Sequence, residues 1–211
     1  MSATSKRSSP QTVIKLPSPQ SKGEVSLEET IAKRRSVRRY RSKPLSLFQL
    51  SQILWSAQGI TGAGRLRAAP SAGATYPLEI FAIVGKETIE ELQAGIYHYE
   101  VDSHSLSLYK PGDLRLDLAR AALDQGFIAN APVDVVICAI YLRTSYTYGR
   151  RGERYVHMEV GHVGENIHLQ AVALGLATVE VGAFHDEEVR KVLGVEEQIK
   201  PLYIMPIGKP L

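Results

Sequence analysis

Five arginines, Arg34, Arg35, Arg38, Arg39 and Arg41, crowd around Ser36 near the start of the chain. A guanidinium grips a phosphate through two parallel N–H donors, and a serine hydroxyl adds a neutral donor and acceptor. The cluster therefore points to a phosphate-bearing ligand or to a nucleic-acid backbone. Cations at the negative end of a helix dipole would account for some of these arginines, but not for all of them. Further on, Thr61 to Pro77 is a Gly/Ala/Pro/Ser segment with almost nothing large to bury. Loops of that length are usually functional or disordered. Small residues there, and at Gly182 and Ala183, expose backbone N–H groups to a ligand that approaches closely.

Other chemistries fit poorly. His157, His162 and His168 share one helical stretch, but their spacings miss the i,i+4 arrangement that puts two imidazoles on one face, so no metal site is expected. Gly59, Gly62 and Gly64 form neither a dinucleotide fingerprint nor a Walker loop, and no strand precedes them. Ser71 lacks the G-x-S-x-G elbow of a hydrolase nucleophile. The single cysteine, Cys138, excludes a disulfide framework and sits in an apolar run where a buried hydrophobe is expected.

The elements that must position these residues follow from capping and periodicity. Residues 1–23 are rich in Ser, Pro and Lys and read as a flexible or extended arm, leaving 24–211 as the folded domain. Ser26 with Glu29, and Ser46 with Gln49, form capping boxes that open two helices; Gly59 is placed to stop the second. Strands are expected at Ile80–Val84, Ile96–Val101, Leu106–Tyr109, Val133–Ile140, Thr178–Val181 and Leu202–Ile207. Asp113 should cap a helix through Ala122, a long helix should run from Arg154 to Leu174, and a short one from Asp186 to Leu193. Gly161, Gly164, Ala171 and Ala173 leave parts of the long helix nearly bare, which suits close packing, a subunit interface or an ordinary core helix. Strands and helices do not alternate regularly, so a mixed sheet with helices packed on it is favoured over a doubly wound parallel fold.

With 211 residues, 44% apolar and 22% charged, the chain suits one globular domain with or without an arm. The net charge of +3 is uneven: residues 1–43 hold eleven Lys/Arg and three Glu, giving +8 there and −5 elsewhere. That balance, and the lack of a nucleic-acid motif, argue against a nucleic-acid-binding domain. No apolar run approaches the roughly 20 residues of a bilayer span, and the polar start lacks the middle of a secretory signal. A cytoplasmic protein without membrane contact is expected.

Four motifs in order are similar to the nitroreductase superfamily, in particular its SagB/ThcOx-type dehydrogenases. They are Arg34-Arg35-Ser36-Val37-Arg38; Ala69 to Pro77 (APSAGATYP); Gly161-His162 with Asn166; and Gly175-Leu176-Ala177-Thr178 leading to Val181-Gly182-Ala183-Phe184. The resemblance spans about residues 14 to 210. It implies an α+β, three-layer fold with a mainly antiparallel mixed sheet flanked by helices, in an intertwined homodimer. By carry-over, Arg34, Arg35, Ser36 and Arg38 would hold the phosphate and ribityl chain of FMN, with Lys209 as a second phosphate cation. Pro70, Ser71, Ala72 and Gly73 would line the ring from the partner chain, and Gly182 and Ala183 would face flavin N5. The implied activity is hydride transfer from NADH or NADPH through the flavin to a small-molecule electron acceptor, in two half-reactions. Relatives that oxidise azoline rings in peptides resemble one another in a Lys-Tyr pair; here those positions are Thr147 and Tyr148. Tyr148 would be a substrate-side acid, a hydrogen-bond donor or an aromatic wall. Loss of the lysine leaves a flavin-binding protein with little turnover as the alternative.

Overall fold

The computed structural model describes residues 12–211, so residues 1–11 of the expected N-terminal arm lie outside the described residues. Val13–Lys15 (β1) pairs with a sheet edge instead of hanging free, and Ser51 Oγ donates to the Pro17 carbonyl at 2.7 Å. Leu27–Lys33 (α1) and Leu47–Gln58 (α2) follow. Leu78–Val84 (β2), Gly95–Glu100 (β3) and Ser105–Pro111 (β4) come next, then Arg115–Ala121 (α3) and Gly126–Asn130 (α4). The chain continues through Val133–Ala139 (β5), Tyr141–Tyr148 (α5), Arg151–Ala173 (α6), Asp186–Leu193 (α7) and Lys200–Ile207 (β6).

The sheet runs β1-β4-β3-β2-β5-β6, and every pairing in it is antiparallel. The parallel contacts among the described residues are isolated bridges, Ser36 with Thr178 and Leu45 with Ile89. Successive side chains of a strand point to opposite faces. Thus Ile80, Ala82, Val135 and Ile137 join one core with α2 and α6, while Phe81, Ile83, Val136 and Cys138 join another with α3, α4 and α7. The product is three layers, and it explains why β5 reads as an unbroken apolar run: both its faces are covered. Among the described residues no helix is long and apolar enough to cross a membrane.

Local chemistry explains most boundaries. Ser46 and Gln49 form the full reciprocal capping box of α2. At α1 Ser26 accepts the Glu29 N–H, but the Glu29 carboxylate pairs with Lys33, so only half of the expected box forms. Asp113 accepts the Arg115 N–H without being the cap, so α3 begins at Arg115. Gly59 stops α2 by steric need, since a Cβ there would lie 2.1 Å from Trp55 Cδ1.

Two expectations are corrected. Thr178–Val181 is not a strand, because its partners change along its length. Thr178 O accepts the Val37 N–H at 3.0 Å, Ala177 N–H goes to Gly208 O at 2.9 Å, and Val181 bridges Ile204. It is a tie between two segments. And α5 lies where no element was expected, because it has no apolar stripe: Thr144 is its buried residue, while Leu142 and Tyr146 are 71% and 89% exposed.

Asp134 on β5 is fully buried, and neither carboxylate oxygen has a hydrogen-bond partner. Burial pushes its pKa well above the usual carboxylate range, with Arg115 opposing and Asp113 adding to the rise. Below about pH 3.8 the acid is neutral in folded and unfolded states alike. As pH rises past that point the unfolded chain loses a proton that the folded chain retains, and folding is progressively penalised. Asp134→Asn, neutral at every pH, is therefore expected to be more stable than the native chain by about 1–3 kcal/mol at neutral pH. Urea denaturation should show the gain fading near about pH 3. A gain independent of pH would rule out the carboxyl's ionisation as its source.

Candidate functional site

The residues singled out in the sequence fall into two groups. The first gathers on the tie segment. Arg34 ends α1, its N–H bonded to the Thr30 carbonyl, and Arg35 turns back onto the carbonyls of Ala32 and Arg34 at 3.1 and 2.6 Å. Ser36 bridges Thr178, and Arg38 lies over the Phe127 ring at 5.9 Å. Gly182 and Ala183 leave the other end of the tie, both exposed, and Gln125 Nε2 holds the Ala183 carbonyl at 2.9 Å. Lys209 follows Gly208, which pairs with Ala177, and its carbonyl accepts the Arg41 N–H at 2.8 Å. Arg34, Arg38 and Lys209 form no salt bridge within 4.0 Å among the described residues, although Arg34 is near enough to Glu180 to help lower that carboxyl's pKa.

His168 supports this group from α6. The buried imidazole meets Glu180 Oε1 through Nδ1 at 2.9 Å and the Arg35 carbonyl through Nε2 at 3.1 Å. With acceptors on both sides, both nitrogens donate and the ring is charged. Burial opposes that charge, but the bonds to Glu180 and the Arg35 carbonyl outweigh it and raise the His168 pKa; the same pairing overrides burial to lower that of Glu180. Glu165, His168 and Glu180 bring candidate metal-ligand atoms within 4.8 Å of one another. An imidazole donating from both nitrogens has no lone pair for a cation, so the trio is read as an ion pair with an exposed neighbour.

The raised histidine pKa adds stability below its ordinary 6.5 that is lost as pH climbs through the folded value, and the lowered glutamate pKa adds stability above 4.5 that is lost in acid. The stability lost in His168→Gln should therefore be greatest between those two values and shrink at alkaline pH. Thermal unfolding across a buffer series reads this, and a difference that does not vary with pH would show a neutral imidazole.

The second group surrounds the loop at 70–77. Pro70 and Gly73 are exposed, Ser71 and Ala72 half-buried. Gly73, Ala74 and Tyr76 take positive φ of 59°, 52° and 44°. Such strain outside glycine costs of order 1 kcal/mol or more per residue and clusters at functional sites. A Cβ on Gly73 would lie 2.6 Å from Tyr148 Oη, so the structure brings Tyr148 to the loop. Thr75 and Thr144 join hydroxyls at 2.8 Å, tying the loop to α5. Ser71 Oγ lies 2.6 Å from Glu159 Oε2, and Arg67 stacks on Tyr76 at 4.2 Å. Thr147 is exposed beside Tyr148. Asn166 of the helix motif is structural, donating to the carbonyls of Ser56 and Ala68 at 3.1 and 3.4 Å.

The two groups do not meet within one chain. Glu159 anchors one and His168 the other, and nine residues of α6 separate them by about 13 Å. His168, Glu180, Glu159 and Gln58 were missed as site residues, since their partners come from distant parts of the sequence.

The three-layer α+β architecture is that of the nitroreductases. The chain belongs to this family: the profile described as Nitroreductase family matches residues 31–209. It is 48% identical over 188 residues to MJ1384 of Methanocaldococcus jannaschii, named as a candidate nitroreductase, covering 89% of this chain and 93% of that protein. It is 28% identical to the microcin B17-processing protein McbC of Escherichia coli over 78% of this chain and 62% of McbC, in keeping with the SagB-type subgroup. A solved candidate nitroreductase from Ralstonia eutropha superposes with a TM-score of 0.82 at 28% identity, covering 94% of this chain and 90% of that one.

Proposed function

We propose that the protein is an FMN-dependent oxidoreductase that carries hydride from NADH or NADPH to a small organic acceptor, as a homodimer with its sites between subunits. One observation carries the reading: each chain presents two exposed, incomplete half-sites anchored about 13 Å apart along α6, at Glu159 and at His168. The first has the donor set a phosphate requires, namely the Arg34 and Arg38 guanidiniums outside any salt bridge, the Ser36 hydroxyl and the Lys209 ammonium. The second offers a loop whose missing side chains let a flat ring approach, with Tyr148 at its side. A second copy, placed with its loop over the first copy's arginines, completes both sites at once. Leu27 and Ile31 on α1, 61% and 55% exposed, and the open surface at Gly161 supply apolar and close-approach area for that contact.

FMN, when bound, supplies the hydride chemistry. The chain's own part is to clamp the phosphate, to present the N–H groups of Gly182 and Ala183 to the ring edge, and to hold the Tyr148 hydroxyl where a substrate would enter. Protein purified without added cofactor should be yellow and should oxidise NADH or NADPH when a quinone or nitroaromatic is present. A colourless protein that cannot be reconstituted with FMN would end this reading. Rapid mixing with the nicotinamide nucleotide separates an enzyme from a flavin binder that lacks turnover.

A further inference from the structure

Glu159 lies on α6 against the 70–77 loop and is 3% exposed. Its Oε2 meets Ser71 Oγ at 2.6 Å, and the same Oγ accepts the Tyr76 N–H at 3.0 Å. The other oxygen, Oε1, and Nε2 of the fully buried Gln58 have no partner within 3.5 Å, yet the Gln58 amide is near enough to Glu159 to favour its charged form. The groups that bear on the acid are Ser71 from the loop, Arg67 just before it and Gln58 from α2. Arg67 is itself fixed by Gln58 Oε1 at 2.8 Å.

A serine hydroxyl has one hydrogen and two lone pairs. When Glu159 is ionised, that hydrogen goes to the carboxylate, and Ser71 has only a lone pair left for anything outside. When Glu159 takes up a proton, its own O–H donates to Ser71; both lone pairs of Oγ are then filled, and the hydroxyl hydrogen is free to point outward. We propose that Glu159 is a positioning residue whose gain or loss of a proton turns Ser71 from acceptor to donor toward the ring seated against this loop. The proposal rests on the flavin reading above. The step forms one O–H bond with a solvent proton and transfers no electrons. Burial supports it by holding the acid's pKa above the usual value, against the lowering by Ser71, Gln58 and Arg67.

The edge of an isoalloxazine ring carries mainly acceptor atoms, so the outward donor should favour binding. Fluorescence titration of the full chain with FMN should show affinity falling by about fivefold to tenfold, the worth of one hydrogen bond, as pH rises through the acid's ionisation. E159Q places its carbonyl toward the Gln58 amide and its own N–H toward Ser71, and should keep the acid-limb affinity at every pH. S71A should bind weakly without that pH step. Comparing profiles removes the titration of the FMN phosphate itself, which all three share. In the ligand-free protein, the infrared difference between the native chain and E159Q, in which the band of buried Asp134 cancels, should contain a carboxylic C=O band that fades with rising pH. Identical pH profiles for the native chain and E159Q, or no such band, would overturn the proposal. Absence of FMN binding at any pH would overturn the flavin reading and, with it, the role of Ser71.

Discussion

Replacing Arg34 and Arg38 together by alanine is expected to give a folded, colourless protein. Each charged hydrogen bond to a phosphate contributes about 1.5–3 kcal/mol, so losing both should weaken FMN binding by roughly a hundredfold to ten-thousandfold. The fold should tolerate the change. Neither side chain makes an ion pair among the described residues, and the contact of Arg38 with Phe127 at 5.9 Å is a cation–π interaction of about 0.5–1 kcal/mol. Thermal unfolding should therefore move little while the flavin titration collapses. Alanine at Lys15, on the strand at the opposite edge of the sheet from β6, removes one cation and should leave FMN binding unchanged. A loss of binding free energy from the Lys15 change about half that of the double arginine change would show that net charge, and not the arginine turn, holds the cofactor.

A second large effect tests the composite site. Gly73→Val puts a branched side chain at φ 59°, where its Cβ would lie 2.6 Å from Tyr148 Oη, and should remove most activity on its own. The double arginine variant should do the same from the other half-site. Refolding the two inactive chains together assorts them at random; half the dimers are mixed, and each mixed dimer holds one intact site beside one doubly damaged site. About a quarter of native activity should return. If each site belonged to a single chain, every site would remain damaged and the mixture would stay inactive. Recovery without mixed dimers, read by mass spectrometry, would be equally fatal to the shared-site reading.

The fold was legible wherever local chemistry decides it. Ser46 with Gln49, the apolar run of β5, and Gly194, which closes α7 at φ 75°, all carry their structural reason within a few residues. What stayed hidden depends on partners far along the chain. Thr178–Val181 has the composition of a strand, yet its hydrogen bonds divide between residue 37 on one side and residue 204 on the other, while Ala177 just before it pairs with residue 208. Helix α5 has no periodic stripe to announce it, because most of its surface is open. Residue type alone marked the arginine cluster as a site for a phosphate-bearing ligand or a nucleic-acid backbone, while the 70–77 loop was singled out as a ring-binding segment through the family resemblance. Glu159 and His168 looked like ordinary helix residues until Ser71, Glu180 and Arg35 were placed beside them.

Because the arginine turn and the 70–77 loop are both tied to α6, through His168 and Glu159, that helix acts as a gauge that fixes their phase as well as their spacing. Inserting one residue between Glu159 and His168 would swing one end by about 100° and push it along by about 1.5 Å, and in the proposed homodimer would dislocate the arginine turn from the 70–77 loop in each subunit. Length changes should therefore be confined to the connections outside this helix. New substrates would be accommodated by rebuilding the surface around Tyr148, with the distance between the two anchors kept constant.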